Sequence, residues 1–164
     1  MNGYRHRQRS WWWWGLLIPG LAVLGFTAVL SARGEVHPTP LAMLVLTGAT
    51  FLLTALMFVH LDVSDEMDRL RVRFGPLPLF GTSIPYEAME SVEPTTTGIW
   101  HGWGVHGLPG VLLVMNIAGT DAVCIRLKRR RGLMRARTVI VGTDDPDGLL
   151  GLLRSKLPDK GRHA

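Results

Sequence analysis

The stretches WWWWGLLIPGLAVLGFTAVLSA (residues 11–32) and PTPLAMLVLTGATFLLTALMFV (residues 38–59) decide the architecture of this chain. Neither contains an Asp, Glu, Lys or Arg. About 20 apolar residues wound as a helix cross the hydrocarbon core of a bilayer. The expected opening is therefore a membrane α-hairpin over residues 11–61, with two transmembrane helices at about 11–32 and 38–60. A basic cytoplasmic tail over residues 1–10 precedes it. The first run follows a basic segment and ends in Leu-Ser-Ala, as a cleavable signal peptide does. It is longer than the apolar part of such a peptide, and a second run follows at once.

Flanking charge sets the orientation. Arg5, Arg7 and Arg9 precede the first run, Arg69, Arg71 and Arg73 follow the second, and the short connection carries only Arg33. The excess of basic residues on the cytoplasmic side predicts that both termini face the cytoplasm and the connection faces out. Trp11, Trp12, Trp13 and Trp14 stand where the first helix enters the bilayer, and indole rings favour the headgroup region, so they read as a membrane anchor. Ionisable residues at depth, which transport requires, are absent from both runs.

The net charge is +5. Residues 1–61 carry four arginines against one glutamate, and residues 62–164 carry 14 Lys/Arg against 12 Asp/Glu. The soluble part is thus near balance, with local basic clusters, which argues against nucleic acid as a partner. The single cysteine, Cys124, rules out an intrachain disulfide and a multi-thiolate zinc site.

Beyond residue 61 the pattern changes. Asp62, Asp65, Glu66 and Asp68 read as an acidic linker. Leu70-Arg71-Val72-Arg73-Phe74 alternates apolar and basic with the period of a half-buried strand. Short strands are expected near residues 80–85, 91–95, 111–117, 122–127 and 135–141, with a long glycine-rich loop over 98–110, a hairpin turn at 118–121 and a basic tip at 128–132. Thr143-Asp144-Asp145-Pro146-Asp147 then supplies an N-cap acceptor and an N-terminal proline. Leu149, Leu150, Leu152, Leu153 and Leu157 give the helix that follows an apolar face. The expectation is five to seven antiparallel strands over residues 62–157, forming a small mainly-β barrel or curved sheet with a C-terminal capping α-helix. A disordered tail over 158–164 completes it.

Four segments carry a resemblance: Leu70 to Pro76 (LRVRFGP), Ile84-Pro85, Gly102-Trp103-Gly104-Val105, and Val139 to Leu149 (VIVGTDDPDGL). In this order they resemble the bacterial pleckstrin-homology-like (PH-like) domains found behind membrane hairpins. In the glycine loop Val105 and His106 stand where that family has Ile and Arg. The resemblance implies a PH-like fold of seven strands in a protein of the bacterial cytoplasmic membrane, acting as a binding or scaffolding module without catalysis or cofactor. The alternative is an oligomeric assembly protein with a five-stranded OB-type barrel as its cap.

Two segments stand out as candidate sites. Arg126, Lys128, Arg129, Arg130, Arg131, Arg135 and Arg137 form a basic cluster suited to an anionic leaflet or an acidic partner. Trp100, Gly102, Trp103, Gly104 and His106 form a glycine-rich loop suited to a protein partner or to packing over the sheet. His101 and His106 lack neighbouring carboxylates or thiols, so no metal is expected there. The expected partners are membrane lipids and a protein, with self-association through the hairpin as the alternative. No nucleophile elbow, P-loop or metalloprotease motif is present.

Overall fold

A computed structural model describes residues 3–34, 37–76, 80–98, 104–131 and 135–157. Helices α1 (Trp13–Arg33) and α2 (Pro38–Met57) occupy the two apolar runs. At 1.5 Å per residue each is about 30 Å long, the thickness of a bilayer core. Only 11% of each apolar window is buried, so these are not the core helices of a water-soluble domain. By length and composition both are able to cross a membrane.

The two helices pack along small residues. Leu24 lies over Gly48, where a Cβ would stand 2.6 Å from its Cγ, and Gly20 faces Phe51 and Leu52 at 3.0 Å. Gly25 has open space beside it and takes no part in this contact. Thr27, Thr47, Thr50 and Thr54 each donate a hydroxyl hydrogen bond to the carbonyl four residues back, so these four hydroxyls are satisfied within their own helices.

The residues expected as a basic tail are not a tail. Strand β1 (Arg5–Arg9) precedes α1 and pairs antiparallel with β2 (His60–Glu66), which follows α2. Arg9 stands opposite His60 and Arg5 opposite Ser64. The expected acidic linker is β2 itself: Leu61 and Val63 enter the core, while Asp62, Ser64 and Glu66 line the outer face. The helical hairpin is thus an insertion between two neighbouring strands. The Ser10 N–H donates to the Val59 carbonyl at 3.3 Å, which closes its neck.

β3 (Arg69–Phe74) and β4 (Gly81–Pro85) complete a four-stranded antiparallel sheet in the order β1-β2-β3-β4. A 3-10 turn over Tyr86–Ala88 leads to a second sheet made of β5 (Met89–Thr96), β6 (Gly104–Leu108), β7 (Leu112–Asn116), β8 (Asp121–Arg131) and β9 (Ala136–Gly142). Its order is β5-β8-β9-β7-β6. Among the described residues eight strands follow the hairpin and one precedes it, against the seven or five expected. Among the described residues the strands form two sheets and close no barrel.

The turn at residues 117–120 does not join a hairpin. β9 lies between β7 and β8, parallel to β7 and antiparallel to β8. The connection must therefore step across two strand spacings, about 9.6 Å. Asn116 holds it: its amide donates to Thr97 Oγ1 at 2.8 Å and to the Gly119 carbonyl at 3.1 Å, and its Oδ1 accepts from the Ala118 N–H at 3.2 Å. Gly142 leaves the space this side chain fills.

One apolar core joins both sheets and α3 (Pro146–Lys156). Leu61, Val72, Phe74, Leu113, Ile125, Val141, Leu149 and Leu153 are its centre. Each buried leucine stabilises the fold by roughly 1.5–3 kcal/mol. Asp145 caps α3 by accepting from the Gly148 N–H at 3.1 Å, as expected from the sequence. The same carboxylate accepts from the Tyr4 hydroxyl at 3.1 Å, and His6 contacts Asp144. Lys156 reaches Asp65 at 3.4 Å from the other end of the helix. The first strand and the last helix are therefore latched together.

This topology yields a test. Replacing residues 10–59 with Asn-Gly joins Arg9 to His60 through a two-residue turn that suits a β-hairpin. The shortened chain is expected to fold as a soluble domain with cooperative thermal unfolding. Residues 62–157 alone lack β1 and expose the β2 edge, so they should melt at lower temperature or aggregate. Equal melting temperatures would show that β1 contributes nothing.

Candidate functional site

The basic cluster of the sequence folds as the β8–β9 hairpin. Arg126, Lys128, Arg129, Arg135 and Arg137 are exposed. Arg130 and Arg131 belong to β8 by their backbone, and their side chains lie outside the described structure. Lys128 Nζ donates to the Glu87 carbonyl at 2.7 Å, which ties the cluster to the 3-10 turn. Arg126 and Arg137 line a hollow of about 340 Å³ with Glu90, Cys124, Leu127 and Thr138. Burial pushes the Cys124 thiol up, against the opposing pull of Arg126, so the sulfur stays protonated at neutral pH and is a poor nucleophile.

The glycine-loop residues Trp100, Gly102 and Trp103, and His101 with them, lie outside the described residues. Gly104 and His106 are in β6, not in a loop, because Gly104 pairs with Asn116 and His106 with Val114. Gly104 has φ +111°, and a Cβ there would lie 3.1 Å from the Phe58 ring at the exit of α2. This end of the second sheet therefore abuts the helical hairpin. Gln8, at the end of β1 nearest α1, bonds the Ala118 carbonyl at 2.8 Å at the same end. β8 leaves that end at Asp121, and Arg131 lies ten residues further, about 33 Å along an extended strand. Gly104 and the basic tip thus occupy opposite ends of one sheet. Among the described residues no group of three His, Cys, Asp or Glu is arranged to hold a metal.

At the neck, Trp11 and Trp14 are exposed, and the indoles stack in pairs, Trp11 on Trp12 and Trp13 on Trp14. Trp12, Gly15, Leu16 and Phe58 line an apolar hollow of about 300 Å³. Below it is a polar centre that the sequence reading missed. Asp62, 8% exposed, accepts a two-pronged contact from Arg7, with Nε at 2.5 Å and Nη2 at 2.8 Å. His60 lies 3.6 Å and Arg5 3.9 Å from the same carboxylate. Burial raises the Asp62 carboxyl, but Arg7, His60 and Arg5 more than offset it and hold it below the ordinary carboxylate range. The sequence signal was present: RHRQR and RLRVRF both place arginine at every second position, which aims all six to one face of a sheet.

Comparison of the chain with protein-family models, with curated proteins and with solved structures gives no match in any of the three.

Because the folded state holds Asp62 below its ordinary value, its contribution to stability is complete above the normal carboxylate range and is lost as pH falls through the folded value. Asp62→Asn is expected to lower the melting temperature at pH 7. It should also flatten the fall in stability as pH drops below the ordinary carboxylate range. A melting curve against pH that keeps its wild-type shape would contradict this role.

Proposed function

We propose that this protein is a membrane-anchored, non-catalytic binding module of the bacterial cytoplasmic membrane, with a PH-like domain facing the cytoplasm. The observation that carries the reading is the insertion of the helical hairpin between β1 and β2. Strand pairing keeps both ends of the hairpin on the same side and holds the domain against the neck through Phe58, Gly75 and Gly104. A domain so fixed suits recognition at a membrane surface. The basic face of Arg126, Lys128, Arg129, Arg135 and Arg137 is the part that meets a partner. Its tip stands about 33 Å along the strand from the hairpin end, several Debye lengths at physiological salt. An acidic protein partner therefore fits it better than the protein's own leaflet. The PH-like reading is supported by the two sheets sharing a core with a C-terminal helix.

A single-cysteine series on the full chain tests this reading. In a Cys124→Ala background, Arg129→Cys is expected to react with a membrane-impermeant maleimide in inverted membrane vesicles and to be protected in intact spheroplasts. Labelling in spheroplasts would overturn the orientation. A thiol-to-amine crosslinker should then give a discrete adduct from Arg129→Cys and none from Asp121→Cys at the opposite end of β8. An adduct of twice the chain's own mass would instead favour the assembly protein.

A further inference from the structure

The basic hairpin is not the only concentration of positive charge. Leu61, Val63, Leu70, Val72 and Phe74 point from β2 and β3 into the core and are at most 2% exposed. The alternate residues make the outer face of the four-stranded sheet. By register, Arg5 and Arg71 flank Ser64, Arg7 and Arg73 flank Asp62, and Arg9 stands beside His60. Six arginines, counting Arg69 opposite Glu66, share this face with two carboxylates, Asp62 and Glu66. Asp68 lies in the turn between β2 and β3.

The carboxylates are unevenly placed. Asp68 takes Arg69 at 2.7 Å, Glu66 takes Arg71 at 3.0 Å, and Asp62 takes Arg7. The arginine nearest the helices on each of β1 and β3 is left over. Among the described residues neither Arg9 nor Arg73 has a carboxylate within ion-pair distance. Arg9 is two residues from Trp11, about 7 Å of extended chain. Arg73 lies on β3 one residue before Phe74, after which Gly75 donates its N–H to the His60 carbonyl at 2.7 Å and packs against the Leu56 carbonyl at the end of α2. The headgroup layer on each side of a bilayer core is about 5–8 Å deep. Both guanidinium groups therefore lie at headgroup height once α1 and α2 span the membrane.

A receptacle adjoins Arg73, two strands across the sheet from Arg9. A groove of about 360 Å³ runs between β3 and β4, bounded by Arg69, Arg71, Arg73 and Glu66 and floored by Gly81 and Ser83. The stem of Arg73 lies over Gly81, where a Cβ would come within 3.1 Å of its Cγ, so the groove depends on that missing side chain. Guanidinium forks bind phosphate oxygens in pairs, and the exposed Ser83 adds a hydroxyl donor.

We propose that Arg9 and Arg73, with the groove between β3 and β4, bind the phosphodiester of anionic phospholipids in the leaflet that the hairpin enters. This rests on the membrane-anchored reading above and uses a surface separate from the basic hairpin. The lipid phosphate replaces the missing carboxylates, which joins the domain to the membrane surface at a second point beside the neck. A neutral zwitterionic lipid offers the same phosphate with a choline that the arginines repel.

The test uses the full chain in detergent with equal amounts of phosphatidylglycerol and phosphatidylcholine, read by native mass spectrometry. Resistance of the membrane-bound chain to alkaline carbonate extraction is checked first; extraction would overturn the anchored reading beneath the proposal, independently of any lipid preference. Wild type is expected to retain phosphatidylglycerol in preference to phosphatidylcholine. Each arginine removed should lower that preference about five-fold, the ratio equivalent to one basic side chain at an anionic surface. Arg9→Gln/Arg73→Gln should thus lose it, with an unchanged melting temperature because neither residue has an ion pair to break. Arg126→Gln/Arg129→Gln should keep it. Equal retention of the two lipids by wild type, or an undiminished preference in Arg9→Gln/Arg73→Gln, would overturn the proposal. Displacement of the lipid by millimolar inorganic phosphate would also overturn it, by assigning the groove to a soluble anion.

Discussion

The pairing of β1 with β2 governs everything else in this molecule. These strands are adjacent in space and some fifty residues apart in the chain, with the whole helical hairpin between them. The Arg7 fork on Asp62 joins the two strands side chain to side chain at the centre of the pair. A buried, paired carboxylate of this kind is costly to break from one side, because removing Arg7 leaves Asp62 only the longer contacts to His60 and Arg5. Without the pair, β2 becomes an edge, Tyr4 leaves Asp145, and α3 loses one of its anchors. The domain and the hairpin are therefore a single construction, even though composition divides them into an apolar third and a polar remainder.

The legible parts of the fold were those with local signals. Both helical runs, the alternation of Leu70 to Phe74 and the cap and leucine face of α3 are properties of neighbouring residues, and the structure has each of them. β1 was hidden because its inward-facing residues His6 and Gln8, with Tyr4 just before them, are polar, and their polar atoms meet Asp144, the Ala118 carbonyl and Asp145. No apolar alternation marks such a strand. β2 did alternate, with Leu61 and Val63 on either side of Asp62, but four carboxylates in the seven positions 62–68 looked like a solvated linker. β6 was masked by its glycines, which here allow close approach to Phe58 and Leu112. The parallel contact of β7 with β9 is wholly non-local and left no trace in the turn at residues 117–120.

The two basic regions were also unequally legible. Residues 126–137 form a run that composition alone detects. The arginines of β1 and β3 are more dispersed, and only the register makes them one surface. Their environments differ as well. Four of the six, Arg5, Arg7, Arg69 and Arg71, are within ion-pair distance of Asp62, Asp68 or Glu66, while among the described residues Arg9 and Arg73 have no such carboxylate. The density of charge along the chain was thus a poorer guide to an unmet electrostatic demand than the placement of the carboxylates around it.

The insertion of the hairpin within a sheet also bears on how the protein is made. β1 leaves the ribosome before either helix, and its partner β2 follows only after both have been synthesised. A chain whose helices crossed the bilayer an odd number of times would strand β1 and β2 on opposite faces, where no sheet can form. The unpaired β2 edge and the uncapped core would then be open to proteolysis. For helices able to cross a membrane, pairing of β1 with β2 is thus a condition that only an even number of crossings meets.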